Sequence, residues 1–348
     1  MAVSASCPTL LSPAPGPALR VCERAAVYRP RHPERTDLYR IFERHFEDYV
    51  RVHEERFEPH AGPLRPVVAR VVEAYLDCGR LLGGFARLRC PQCKGEHLLA
   101  FSCQTRNFCP SCQAKRAALL AERLESCILA PVPYRHLVFT IPKALRGLFA
   151  RERRLLGLLP RCAFEAVRRL YQAHLRRDDA RPGMVASIQT FGRELGFHPH
   201  VHALVTDGLI ARGGAFAPLT APDLAALEEL FRRLVLAALV KAQRLSEGFA
   251  ARLLTWHHSG FSVYGAQVVL PSERERLARL ARYATRPLLA QQRVRIGDAQ
   301  TWRLAIPPDA VTDATELVLD VLERIHRLTQ QIPDPGQHLV RYCVARDW

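Results

Sequence analysis

Residues 189–205 read QTFGRELGFHPHVHALV. The segments Val185–Phe191 and His198–Val205 have the composition of two strands, joined by a six-residue connection, Gly192–Phe197. Side chains alternate along a strand, so His198, His200 and His202 project from one face and Val201 turns toward the core. A symmetric hairpin pairs Gln189 with His200, with Cβ atoms roughly 5 Å apart on one face. A single histidine there would read as a hydrogen-bonded core residue. Three at period two, beside a carboxamide, favour a platform for a divalent cation, Mg²⁺ or Mn²⁺. Glu194 is the alternative third ligand.

Outward from this hairpin the chain alternates α and β character. His136–Ile141 (HLVFTI) reads as a buried strand ended by Pro142, and residues 143–178 read as helical and Arg-rich. Asp207-Gly208 is a hairpin-turn signal. Asp223 is placed to cap an amphipathic helix with Leu227, Phe231 and Leu234 in its stripe. Gly260–Leu270 reads as a further strand. Ser272-x-x-Glu275 has the form of a capping box opening a helix to about Thr285. Upstream, Asp37–Arg80 is helical in pattern, as is Gln113–Leu129 after a cysteine-rich loop. Residues 1–35 are rich in Pro and Arg without periodicity and read as a mobile basic arm.

The 348 residues carry 50 Lys plus Arg against 34 Asp plus Glu, a formal charge of +16. That excess calls for a polyanionic partner, nucleic acid first. A hydrophobic content of 48% excludes disorder as the main state. The most apolar run, Leu234–Val240, is far short of a membrane span. Pro8, Pro13, Pro15 and Pro17 interrupt the N-terminus, which lacks a signal-peptide pattern. The expected location is therefore cytoplasmic, with the bacterial nucleoid.

In a reducing compartment eleven cysteines do not make a disulfide framework. Five lie between Cys90 and Cys112. Cys90-x2-Cys93 and Cys109-x2-Cys112, fifteen residues apart, have the spacing of a four-thiolate structural zinc module. Cys103 and His97 are rival ligands. A closed site of this kind organises a surface, and Lys94, Arg106, Lys115 and Arg116 are placed to contact a nucleic-acid backbone. The zinc-deaminase signature is absent.

Tyr283 lies in RLARLARYATRP, with Arg279 at i−4 and Arg286 at i+3 on its side of the helix. Guanidinium groups there would hold a phosphate and favour phenolate over phenol. By periodicity alone, Tyr283 is an ordinary half-buried aromatic.

The order zinc knuckles, HLVFTIPKALR, QTFGRELGFHPHVH, GFSVYG and RYATRPLL resembles the zinc-binding, rolling-circle transposases of the insertion-sequence-ninety-one type. These belong to the histidine–hydrophobe–histidine (HUH) endonuclease class. The resemblance covers about Arg65 to Tyr342. It implies an α+β chain: a mobile arm over 1–35, a helical zinc-binding DNA-recognition domain over 36–130, and an HUH catalytic domain over 131–348. The last would be ferredoxin-like, with an antiparallel central sheet and added helices. It further implies cleavage and rejoining of single-stranded DNA at element ends and target, with His200 and His202 as metal ligands and Tyr283 as nucleophile. The 5′-phosphotyrosine so formed would conserve the phosphodiester energy, and a homo-oligomer fits such chemistry. Some relatives carry two tyrosines four residues apart. Here the earlier position is Arg279, so the chain resembles a single-tyrosine form. Tyr264 stands where many relatives have His and is a rival nucleophile. Relatives continue beyond RYCVARDW, so the alternatives are an inactive, C-terminally altered copy or a non-enzymatic zinc-module DNA-binding regulator.

Overall fold

The computed structural model describes residues 32–192, 194–265, 268–284, 294–296, 301–305 and 316–343. Three helices come first: α1 (Asp37–Arg56), α2 (Glu58–Ala61) and α3 (Pro66–Leu76). A hairpin of β1 (Phe85–Arg89) and β2 (Glu96–Ala100) leads to α4 (Pro110–Arg123). The middle of the chain runs β3 (Tyr134–Thr140), α5 (Lys143–Arg151), α6 (Leu158–Leu175), β4 (Ala180–Arg181), β5 (Met184–Phe191), β6 (Phe197–Thr206), β7 (Gly208–Ala211) and β8 (Phe216–Pro218). It continues through α7 (Leu224–Lys241), α8 (Glu247–Thr255), β9 (Ser262–Gly265) and α9 (Arg274–Ala284). The last elements are β10 (Val294–Ile296), β11 (Thr301–Ala305), β12 (Glu316–Asp320), α10 (Val321–Thr329) and β13 (Val340–Cys343).

The principal sheet has the order β13-β5-β6-β3-β9, antiparallel throughout, with β6 in the middle. Its two faces follow from alternation along β3 and β6. Val201, Ala203 and Val205 join Leu137 and Phe139 in an aliphatic core roofed by α5, α6 and α7. His200, His202 and Leu204 point the other way, where α4 and α9 pack through Ala121, Leu124, Leu277 and Ala281. Gln189 pairs with His200 in the β5–β6 ladder, the register expected from the hairpin.

A separate core joins α1 and α3 to α10, although the latter lies far along the chain. The Tyr49 hydroxyl lies 3.2 Å from both Thr329 Oγ1 and His326 Nδ1. A helix ends with unsatisfied carbonyls, and guanidinium groups from two directions meet those of α10. Arg65 donates to Thr329 O and Ile332 O, both at 2.9 Å, and Arg153 donates to Gln330 O at 2.5 Å. The helices before residue 130 thus share a core with a helix near the C-terminus.

Several local expectations are corrected. The helix expected from Gln113 begins at Pro110, because proline fits the first helical position and Cys109 takes the cap. Asp207-Gly208 is not a hairpin turn: β7 pairs with β4 and β8, not with β6. Glycine is needed there by close approach, since a Cβ on Gly208 would lie 2.2 Å from Ala217 O. Of the strand expected over 260–270, Ser262–Gly265 forms β9 and Val269 makes an isolated bridge to Tyr134, while residues 266–267 lie outside those described. The helix expected from the Ser272 box starts at Arg274, and Glu273 accepts from Leu270 N instead. Asp223 caps α7 as expected, accepting from Ala225 N and Ala226 N. Residues 1–31 of the expected arm lie outside the described residues.

Phe231 of α7 is fully buried and packs on Phe139, with ring centroids 5.0 Å apart. Phe231→Ala should cost about 3–5 kcal/mol in denaturant unfolding, against about 1 kcal/mol for removing the Asp223 cap. Burial first, then His53, Arg327 and Arg56, push the His326 imidazole down to about 4. The unfolded chain, with an ordinary pKa near ~6.5, binds that proton more readily than the folded one. Stability should therefore fall as pH drops from about 6.5 toward 4. Urea midpoints across this window should fall less in His326→Gln than in wild type; parallel profiles would remove His326 from the account.

Candidate functional site

The four sulfurs of Cys78, Cys103, Cys109 and Cys112 converge within 4.8 Å of one another. Neighbouring Sγ–Sγ distances are 3.8 Å (Cys78–Cys109), 3.7 Å (Cys78–Cys112) and 3.6 Å (Cys103–Cys112). A tetrahedron with Zn–S near ~2.3 Å has an edge of ~3.8 Å. The donor set therefore fits zinc in chemistry and in size. Its parts come from three places: the residue after the α3 cap, the segment after β2, and the first turn of α4. The Cys103 N–H donates to Cys78 Sγ at 3.4 Å, and Gly79 N–H to Phe101 O at 2.9 Å, which clips the first two places together. Hydrogen bonds from Cys103, Cys109 and Cys78 hold the Cys112 thiol far below its ordinary range, whereas the Cys109 thiol, bonded to the same neighbours, is pushed up.

This corrects the ligand set expected from spacing. Cys109 and Cys112 are in the cluster, whereas Cys90 and Cys93 stand apart at the tip of the β1–β2 hairpin. Their places are taken by Cys78 and Cys103, isolated cysteines that no motif flags. Cys103 is one of the two rival ligands within the cysteine-rich loop; Cys78 lies twelve residues ahead of Cys90. Cys78 becomes visible only when Phe101 is paired back against Gly79.

On the sheet face beneath α9, His200 and His202 stand side by side with ring centroids 5.0 Å apart. His200 Nδ1 lies 2.7 Å from the His198 carbonyl oxygen. His202 Nδ1 lies 3.0 Å from Nε2 of His136, and the two rings stack at 5.2 Å. His136 was missed as a site residue. The signal was present, because in HLVFT the alternation puts His136, Val138 and Thr140 on the face of His200 and His202. Burial lowers the His136 pKa and holds the ring neutral. His198 stays beside His200, with ring centroids 5.3 Å apart, and meets Arg146 at 3.1 Å; burial, then Arg146 and His200, push it down to about 4. Gln189 is buried and donates from Nε2 to Tyr283 O at 3.3 Å. Glu194 lies exposed in the hairpin loop.

Tyr283, on the last turn of α9, presents its ring edge-on to His202 at 5.4 Å and to His136 at 6.1 Å. It is 43% exposed, so solvent and ligands can reach it. Tyr264 lies two strands away, paired with Val138 in the ladder, and is more exposed at 66%. Arg279 is exposed and lies 3.7 Å from Glu275 of its own helix. Arg286 lies outside the described residues.

The four basic residues expected to face nucleic acid have different surroundings. Arg106 is spent on the chain, donating to Gln337 O at 2.6 Å and Asp334 O at 3.3 Å. Lys94 sits at the hairpin tip and donates to Pro91 O. Lys115 and Arg116 are exposed on α4, where they line a groove of about 450 Å³ with Arg123. A second groove, of about 270 Å³, connects Arg116 and Arg106 with Ser187, Gln189 and Tyr342. Among the described residues, no helix is long and apolar enough to cross a membrane.

Two family models match the chain. One, described as "Transposase zinc-binding domain", covers residues 41–141, and the other, described as "Putative transposase", covers residues 183–344. The chain is 34% identical over 161 residues to the transposase for insertion sequence element IS801 of Pseudomonas savastanoi pv. phaseolicola, covering 46% of this chain and 38% of that one. It is 34% identical over 208 residues to the protein named "Putative transposase y4qJ" of Sinorhizobium fredii, covering 56% and 50%. A shorter likeness, 42% over 59 residues, is to the HTH-type transcriptional repressor LfrR of Mycolicibacterium smegmatis, covering 17% and 31%. The chain thus spans half or less of the length of the curated relatives it matches. No solved structure matches. The four-cysteine cluster lies in the segment matched by the first model and the histidine hairpin in that matched by the second, so in both segments the chain is similar to transposases.

Proposed function

We propose that this chain cleaves and rejoins single-stranded DNA through a covalent tyrosine intermediate, mobilising an insertion sequence. The observation that carries the reading is the Tyr283 ring standing over His202 and His136, beside the paired His200 and Gln189. Placement of both histidines on the middle strand of an antiparallel sheet also supports a ferredoxin-like HUH domain over 131–348, with the DNA-recognition module over 36–130.

In this reading His200, His202 and Gln189 hold Mg²⁺ or Mn²⁺. With Nδ1 facing the His198 carbonyl, His200 would ligate through Nε2; with Nδ1 facing His136, so would His202. The cation would neutralise charge developing on the scissile phosphate. Tyr283 is the nucleophile. Its oxygen attacks phosphorus in line, the bond from phosphorus to the 3′-oxygen breaks, and the DNA is left joined to Tyr283 through its 5′ phosphate. The phenolic proton passes to water and the departing 3′-oxygen takes one up. A later 3′-hydroxyl reverses the step and joins strands without ATP. Arg279 and Arg286 would steady the phosphate, Arg279 leaving Glu275 to do so. Lys115 and Arg116 would guide the backbone along the α4 grooves, while Arg106 holds the chain near residues 334–337.

A DNA-binding regulator without chemistry is the second reading, supported by the short likeness to a repressor. It gives no role to the histidine platform. The readings separate on one gel. Wild type with a labelled oligonucleotide and Mn²⁺ should give a denaturation-resistant adduct that peptide mapping places on Tyr283. Tyr283→Phe should lose cleavage while binding DNA within about twofold, since it removes one oxygen and keeps the ring. His200→Ala and His202→Ala should also lose cleavage, with partial rescue of one by excess Mn²⁺. An adduct on Tyr264 would reassign the nucleophile, and cleavage with no adduct would make water the nucleophile.

Binding to single-stranded DNA should weaken steeply with salt, because Lys and Arg contacts release counterions. Lys115→Ala plus Arg116→Ala should flatten a plot of log affinity against log salt by about one to two. An unchanged slope would take α4 out of the DNA contact.

A further inference from the structure

The β1–β2 hairpin poses a physical problem. Nearly every residue in its two strands is exposed, including Phe85, Leu88, Leu98 and Leu99. A two-stranded hairpin without a buried face is marginal in water. Its tip, however, is built as a knuckle. The Cys90 N–H donates to Gly95 O at 2.9 Å, the Lys94 N–H donates to Cys90 O at 3.0 Å, and Lys94 takes a left-handed φ of 58° to close the turn. A Cβ on Gly95 would lie 3.3 Å from Cys93 Sγ, so this sulfur lies over the turn. The tip therefore carries two cysteine sulfurs on one turn. The other four-sulfur cluster is complete without these residues.

A third donor shares the face of Cys90. The ladder pairs Leu88 with His97 and Arg89 with Glu96, and the Cys90–Gly95 bond continues it. Alternation then puts His97 on the face of Cys90, one diagonal step away, about 7 Å or less between Cβ atoms. Glu96 lies on the opposite face, where Arg87 grips it at 2.6 and 3.0 Å. We propose that Cys90, Cys93 and His97 hold a second zinc ion, independent of the Cys78–Cys103–Cys109–Cys112 cluster, with water in the fourth position. Two thiolates and an imidazole are a zinc donor set, and metal binding there staples a hairpin that lacks a core of its own.

The test reads metal, not DNA chemistry, so it stands apart from the proposed function. Full-length protein purified with zinc, passed through a desalting column and measured by plasma mass spectrometry, should carry two zinc ions per chain. Cys90→Ser with Cys93→Ser should carry one, with the far-ultraviolet spectrum nearly unchanged because the hairpin is exposed. His97→Ala should release one of its two ions to a chromogenic chelator at least tenfold more readily than wild type. One zinc in wild type, unaffected by the double serine variant, would overturn the proposal. So would loss of all zinc in that variant, which would place the knuckle in the first cluster. A second ion found only in a dimer by light scattering, with His97→Ala unaffected, would replace His97 by a ligand from another copy.

Discussion

The register between β5 and β6 is the constraint on which the site depends. With Gln189 opposite His200 and Ser187 opposite His202, polar side chains share one face and Val201, Ala203 and Val205 fill the aliphatic core. A slip of one residue would exchange these faces and drive both histidines into that core. Unsatisfied imidazoles there would cost several kcal/mol, so the same packing that stabilises the sheet specifies the platform. The register is held at the far end too. A bulge separates Gln189 from Phe191, which packs instead into the core shared by α1 and α10. Gln331 then pins the hairpin, accepting from Thr190 Oγ1 at 2.7 Å and donating to Leu195 O at 3.1 Å.

What the sequence discloses follows from the range of the interaction. The histidine hairpin, its register with Gln189 and the Asp223 cap depend on neighbours within about twenty residues, and each is legible from alternation or local chemistry. The zinc ligands were half legible. Two C-x2-C pairs look equivalent on paper, but only Cys109-x2-Cys112 sits where a helix start and two distant single cysteines meet it. His136 was hidden differently, since a hydrophobic strand pattern absorbed it until the ladder set it beside His202. The union of α1 with α10 leaves no local trace, because Tyr49 and Thr329 are 280 residues apart.

The positive charge also divides by place. A net +16 suggests a surface given over to phosphate, yet Arg65, Arg106 and Arg153 are consumed by backbone carbonyls around residues 329–337. Burial pushes Arg153 down to about 9, which still leaves it charged at neutral pH. A planar guanidinium can satisfy several carbonyls at once, and here it closes a helix end that has no glycine cap. Arginine count alone therefore overstates the charge free to meet a polyanion. The residues with the geometry for it are those exposed along α4.

Helix α4 connects the zinc cluster to the candidate nucleophile through direct packing. Cys109 and Cys112 fix its first turn, Lys115 and Arg116 follow one turn later, and Ala121 and Leu124 pack in the cluster that holds Leu277 and Ala281 of α9. Ala281 is two residues before Tyr283. Interiors packed at crystal-like density transmit small displacements instead of absorbing them. The placement of Tyr283 above His202 is thus a consequence of where four distant cysteines anchor the start of α4. A zinc site with no open coordination position contributes to the arrangement of Tyr283 and the histidines by holding that end of the helix still.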